Sequence, residues 1–290
     1  MDAREKLPKE TTEYLEGIYD LREAVFSGND KLKNVLNRLD NEFMQHEADM
    51  NRIGDMTASN MTEFMKMVEK AKDFNKRYGD EIKEAVSRFN TKIGVVFEDE
   101  NDPRKRKIEE FSEKIGKMIS PELLDGYMVR IISIENTGRY VSDEMMGSDS
   151  DLADMFKDAF RKNLLLHGKQ LSMEEFMKTM KDRKYLGLTK GYSGRSDMML
   201  VDCSLETFAH EMGHVIENAG GNDIQNRENT IGDLLMSNQR IFGDYSMTKV
   251  GSNYTEILST GIEHLVESPV DLYVHSPMQF MFTVGIICGN

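Results

Sequence analysis

The chain has 290 residues, enough to bury a core of its own, and a net charge of −14, which argues against broad binding to nucleic acid or to an anionic membrane. Its two cysteines, Cys203 and Cys288, are too few for a disulfide framework and point to a reducing compartment. The opening MDAREKLPKE lacks the apolar core of a signal peptide, and the longest apolar stretch, Phe280 to Cys288, is too short to span a bilayer, so a cytoplasmic protein is expected.

The first hundred residues read as a helical arm. Leu32, Leu36, Leu39, Phe43, Met50 and Ile53 alternate at spacings of four and three, with His46 filling the missing slot as a packed or seam-edge residue, and a second run extends from Phe64 through Phe74, Tyr78, Ile82 and Val86 to Ile93. Such spacing gives long helices with a narrow apolar seam, paired as a hairpin or with another chain in a coiled-coil-like manner. The polar stretch Glu98 to Arg104, with Asp102-Pro103 inside it, is the best boundary, dividing an arm (1–100) from a second domain (101–290). The basic run Arg104 to Lys107 reads as a solvated helix start.

Beyond the boundary the signals alternate. Tyr127 to Ile134 is rich in β-branched residues and predicts a strand. Leu152, Met155, Phe156, Ala159 and Phe160 mark an amphipathic helix, and Ser172 with Glu175 forms a capping box before another. A short apolar run centred on Met198 to Val201 predicts a second strand. Ser204 can cap the helix after it, which is expected to run to about Asn218 and stop at Gly220-Gly221.

That helix contains TFAHEMGHVI. On a wheel of 100° per residue, Leu205, Phe208, Ala209, Met212 and Ile216 form a core stripe about 100° wide, while His210 and His214 fall roughly 140° and 180° from Leu205. One turn apart, two imidazoles can reach a single ion about 2 Å from each nitrogen. Glu211 lies to one side of the pair, suited to take a proton from a water and not to ligate. Two exposed histidines beside a glutamate would be the plainer reading. Downstream, Thr255 to Glu267 predicts a helix closed by Pro269, with Glu256 and Glu263 two turns apart on its polar side. Spacing does not choose a third ligand between solvated carboxylates, although Glu263 reads as one that stays in water.

TFAHEMGHVIEN, then NYTEILSTGIEHL, then SPVDLYVHSPMQFMFTVGIICGN resemble the carboxy-terminal part of zinc metallopeptidase-like proteins found among phage and prophage head-morphogenesis genes. The resemblance covers roughly residues 190–290. It matches a Thr-Glu-hydrophobic-Leu-Ser helix start at Thr255 to Ser259 and a closing Phe-hydrophobic-Gly pattern at Phe282 to Gly285. It departs at Thr260, where the family commonly has methionine, and in a polar insert, Asn222 to Asn229.

The resemblance implies an α+β, predominantly helical fold with a zincin-like domain and a small sheet. It also implies one Zn2+ held by His210, His214 and Glu256, with Glu263 or His264 as fallback third ligands. Glu211 is then the general base and acid for peptide-bond hydrolysis. The backbone from Met198 to Asp202 is expected to hold an extended substrate. Tyr245, Tyr254, His264 and His275 are all able to donate to an oxyanion, and Tyr254, two residues before Glu256, is chosen as catalytic. The implied partners are a protein or peptide substrate, phage structural proteins, and a second copy joined through the arm; the implied location is the bacterial host cytoplasm or the virion. Three other readings stay open: a head-associated assembly protein with a structural metal site, a cytoplasmic regulatory peptidase that cleaves a repressor, and a soluble toxin delivered to competitors.

Overall fold

The structure, a computed structural model, describes residues 9–54, 61–132, 187–200, 203–238, 244–250 and 252–289. The helices expected at Leu152 to Phe160 and after Ser172, and the expected strand ends Ser133-Ile134 and Val201-Asp202, lie outside these residues.

Three helices open the chain: α1 (Lys9–Ser27), α2 (Asp30–Gly54) and α3 (Met61–Val86). The seam expected from the sequence is realised where Leu32, Leu36 and Leu39 of α2 face Tyr78, Ile82 and Val86 of α3, all at most 1% exposed. Ion pairs Lys31–Glu84, Arg38–Glu81 and Arg77–Glu42 run antiparallel along the outside of this hairpin. The helical spacing breaks earlier than expected: α3 ends at Val86, so Phe89 and Ile93 lie beyond it, and Gly94–Phe97 then forms β1. Two adjacent valines between Gly94 and Phe97 were the available signal for that strand.

After α4 (Lys105–Gly116) and β2 (Met128–Ile131), the chain continues with β3 (Gly187–Tyr192), β4 (Arg195–Leu200) and α5 (Leu205–Asn238). The four strands make one mixed sheet in the order β1-β2-β4-β3. β1, β2 and β4 run parallel, and β3 returns antiparallel to β4 through a turn at Gly194, whose φ of 74° suits glycine. The protein is thus α+β, mostly helical with a small mixed sheet. β4 is paired with β3 through Leu200 and with β2 as far as Met198, so Met198 is enclosed on both sides and Met199 and Leu200 on one, leaving little of the expected substrate-binding edge. Among the described residues, the outer strand on that side is β3.

Arg104 corrects the reading of a solvated basic run. α4 does start there, but the Arg104 side chain is only 18% exposed and pairs with Asp102 at 2.6 Å. It also donates to the Leu200 carbonyl at 2.6 Å, tying the start of α4 to β4.

One face of the sheet, carrying Val129, Ile131, Met198 and Leu200, is fully buried, and α5 packs against β3 and β4. The chain ends in α6 (Ile257–Glu267), α7 (Pro269–His275) and α8 (Pro277–Ile287). α8 is buried along its whole length between α1, α6 and α7, as a helix apolar on every side must be. The boundary expected at 98–104 falls between β1 and α4. One hydrophobic core spans both sides of it, from Tyr14 and Leu36 to Met278 and Phe282. Among the described residues no helix is long and apolar enough to cross a membrane.

Candidate metal centre

Two helices build the centre. α5 begins where Ser204 Oγ accepts the Thr207 N–H at 3.1 Å, the N-cap expected from the sequence. Phe208, Ala209, Met212 and Ile216 are fully buried against the sheet and its neighbours, which turns His210 and His214 to the other side. There α6 lies antiparallel at very close range. A Cβ added to Gly213 would sit 2.4 Å from the Ser259 Cα, so only glycine between the two histidines lets α6 approach this far.

That approach brings His210, His214 and Glu256 together, with one ligand atom from each inside a group no wider than 4.8 Å. The Nε2 atoms of His210 and His214 each lie 3.3 Å from Glu256 Oε2. Donors about 2.0–2.1 Å from a tetrahedral zinc stand about 3.3–3.4 Å from one another, so these separations already suit one ion. The other ring nitrogens are also held. His210 Nδ1 is 2.9 Å from Glu263 Oε2, and His214 Nδ1 is 2.9 Å from Glu217 Oε2. A carboxylate at Nδ1 fixes the proton there and leaves the Nε2 lone pair for an ion.

Glu263 therefore occupies a different place from either one expected of it. It is neither left in water nor directed at the shared point of the two Nε2 atoms; it orients His210. Glu217 was not singled out in the sequence, although its position three residues after His214 on one helix face was a usable signal.

Electrostatics favour positive charge at this point. Burial works against a charged His210, but Glu256 and Glu263 outweigh it and hold the imidazole up at about 9. Burial also opposes charge on His214, yet Glu256 and Glu217 carry it well above its ordinary value. Burial disfavours the Glu256 anion, and the two histidines overcome this to hold its carboxyl well below the usual range. The two histidines thus stand among the carboxylates of Glu256, Glu263 and Glu217, a donor set of a kind that can hold a divalent cation.

Glu211 is 4% exposed, and burial raises its carboxyl above the usual range. Thr189 Oγ1 donates to its Oε2 at 2.7 Å. Gly187 of the same strand comes so near that an added Cβ would lie 2.5 Å from Glu211 Oε1. β3 therefore lies directly across this carboxylate.

Tyr254 does not join the group. Its ring packs on Gly232, where an added Cβ would lie 2.3 Å from Cδ2, and its hydroxyl donates to Asp233 Oδ1 at 3.2 Å. Its place two residues before Glu256 failed as a guide because Tyr254 is in a short strand, Asn253–Tyr254, that directs its side chain onto the far half of α5. His275 is exposed and held by the Asp271 carbonyl, and His264 Nδ1 lies 3.7 Å from Glu267 Oε2. The side chain of Tyr245 lies outside the described residues.

The insert Asn222 to Asn229 is helical and belongs to α5, which bends at Gly221 (φ 56°, ψ −136°) and resumes. Its Glu228 is fully buried; burial and then the nearby Glu217 push its carboxyl up to about 9. No known family model, curated protein or solved structure matches the chain.

Proposed function

We propose that the protein is a zinc-dependent peptidase that hydrolyses peptide bonds in a protein substrate. The observation that carries this reading is the common 3.3 Å spacing of His210 Nε2 and His214 Nε2 from Glu256 Oε2, with a buried Glu211 beside the same helix face. His210, His214 and Glu256 would hold the ion, and two histidines with one carboxylate leave a fourth position for water. A bound zinc supplies Lewis acidity, polarising a scissile carbonyl and lowering the pKa of water towards 7.

The remaining work falls to the chain itself. Glu211 accepts a proton from the attacking water and passes it to the leaving amine, a role for which its burial-raised pKa is suited. Thr189 holds one carboxylate oxygen and so fixes the rotamer of the base. Glu263 and Glu217 keep both histidines in the tautomer that presents Nε2. The outer strand β3 offers an extended peptide a backbone to pair with, a role that passes to it from β4. A site needed only for stability has no use for a desolvated Glu211, which is costly to bury. The resemblance to phage and prophage head-gene proteins points to a substrate among particle or host proteins.

The test is metal analysis together with proteome-wide cleavage profiling of wild type and Glu211→Gln. Wild type should hold one zinc per chain and cut; the variant should hold zinc and not cut. Equal cleavage by both would sink the mechanism. Zinc bound in both with no cleavage by either would favour a structural role in assembly.

A further inference from the structure

We infer that the part of α5 beyond Gly221 is a clamp that delivers Glu256 to the histidines, with Glu228 as its central positioning residue. The inference rests on the metal-centre reading above and goes beyond it by assigning work to residues outside the ligand set and the base.

Gln225, Glu228 and Asn229 share one face of the helix, at spacings of three and four. All three grip the segment that carries Glu256. Gln225 Nε2 donates to the Tyr254 carbonyl at 2.6 Å. The Tyr254 N–H donates to Asn229 Oδ1 at 2.9 Å, and Asn229 Nδ2 donates to Asn253 Oδ1 at 3.0 Å. On the other side of Glu256, the N–H groups of Ile257 and Leu258 both donate to Glu228 Oε1, at 2.9 and 3.0 Å. Glu256 is thus held by its neighbours on both flanks.

Glu228 has a particular consequence for Glu256. A residue at the N-cap of a helix ordinarily turns its side chain back to satisfy the first free N–H groups. Glu256 occupies that place in α6 and makes no such bond of its own. Glu228 does it instead from a neighbouring helix, so the Glu256 carboxylate points to His210 and His214 and takes a 3.1 Å hydrogen bond from Ser259 Oγ. The bend at Gly221 gives the two halves of α5 their separate tasks. The first half presents the histidines and the second sets the carboxylate. The positive φ at the bend is one that a residue with a side chain resists.

The test uses the full-length protein and reads zinc affinity by competition with a chromogenic chelator. Glu228→Ala should weaken zinc binding about 10- to 100-fold. Glu228→Gln keeps an oxygen able to accept both N–H groups and should bind zinc close to wild type. In a Glu256→Ala background, adding Glu228→Ala should cause no further loss, because the residue acts through Glu256. A merely structural role would lower affinity in both backgrounds. If Glu228→Ala does not fold by circular dichroism, Asn229→Ala, which gives up only the Tyr254 and Asn253 bonds, takes its place in the same cycle. Zinc binding unchanged in the alanine variants, or an equal loss with and without Glu256, overturns the clamp alone. A wild type that binds no zinc overturns the metal-centre reading and the clamp with it.

Discussion

Two antiparallel helix pairs in this protein use charge in opposite ways. Along α2 and α3, Lys31, Arg38 and Arg77 are each at least half exposed where they meet their glutamates. Along α5 and α6, the paired groups His210, His214 and Glu256 are 12–19% exposed. Exposed charges are screened by water and contribute little to stability, so the apolar seam between α2 and α3 carries that contact. Buried charges must each find a partner, and the loss of one strands the others. The candidate metal centre lies in the second pair.

The sharpest way to break the contrast is at Gly213. Gly213→Ala places a methyl 2.4 Å from the Ser259 Cα, a backbone atom that cannot turn aside. We expect destabilisation of about 3 kcal/mol, at the upper end of ordinary overpacking, together with loss of zinc affinity as α6 is pushed away. A denaturant midpoint within error of wild type would show that α6 is not fixed against α5 as described.

Arg104 offers an intermediate case, a partly buried pair away from the metal centre. Arg104→Ala removes the partner of Asp102 and the bond to Leu200, and should cost about 2–3 kcal/mol, less than a fully buried pair. The same pair predicts an acid limb. Arg104 hydrogen bonds hold the Asp102 carboxyl below its ordinary value against the opposing effect of burial. Since the folded pKa is the depressed one, the stabilisation is present above the unfolded value of about 3.9 and is lost as pH falls through the folded value. Melting temperature measured from pH 5 to pH 2 should fall less steeply in Asp102→Asn than in wild type. Parallel curves would remove the pair from the acid response.

The smallest effect is expected in the hairpin. Lys31→Ala and Glu84→Ala should each change stability by about 0.5 kcal/mol or less, and a double-mutant cycle should return a coupling no larger. A coupling above about 1 kcal/mol would mean that the exposed pairs of α2 and α3 resemble the buried ones after all.

Much of this was legible in local pattern. The seam of Leu32, Leu36 and Leu39, the strands at Met128 and Met198, the Ser204 cap, and the placing of His210 and His214 opposite a buried stripe all follow from periodicity and capping. These are short-range properties, fixed by which side chains share a face of one element. The partners of those faces were not legible. Nothing in the spacing of Glu256 and Glu263 tells that one approaches both Nε2 atoms while the other takes His210 Nδ1. β1 and β3 were missed because GVVF is only four residues long and GLTKGY carries little apolar, β-branched pattern of its own, and both take their places by pairing with β2 and β4. Tyr254 was misplaced, and the Asn222 to Asn229 segment was read as an insert, because a bend at one glycine decides what the following helix faces. The sequence by itself determined which groups could meet a metal. Only the tertiary structure decided which of those groups stand together, because the close approach of α6 at Gly213 and the grip of Glu228 on its first turn join residues far apart in the chain.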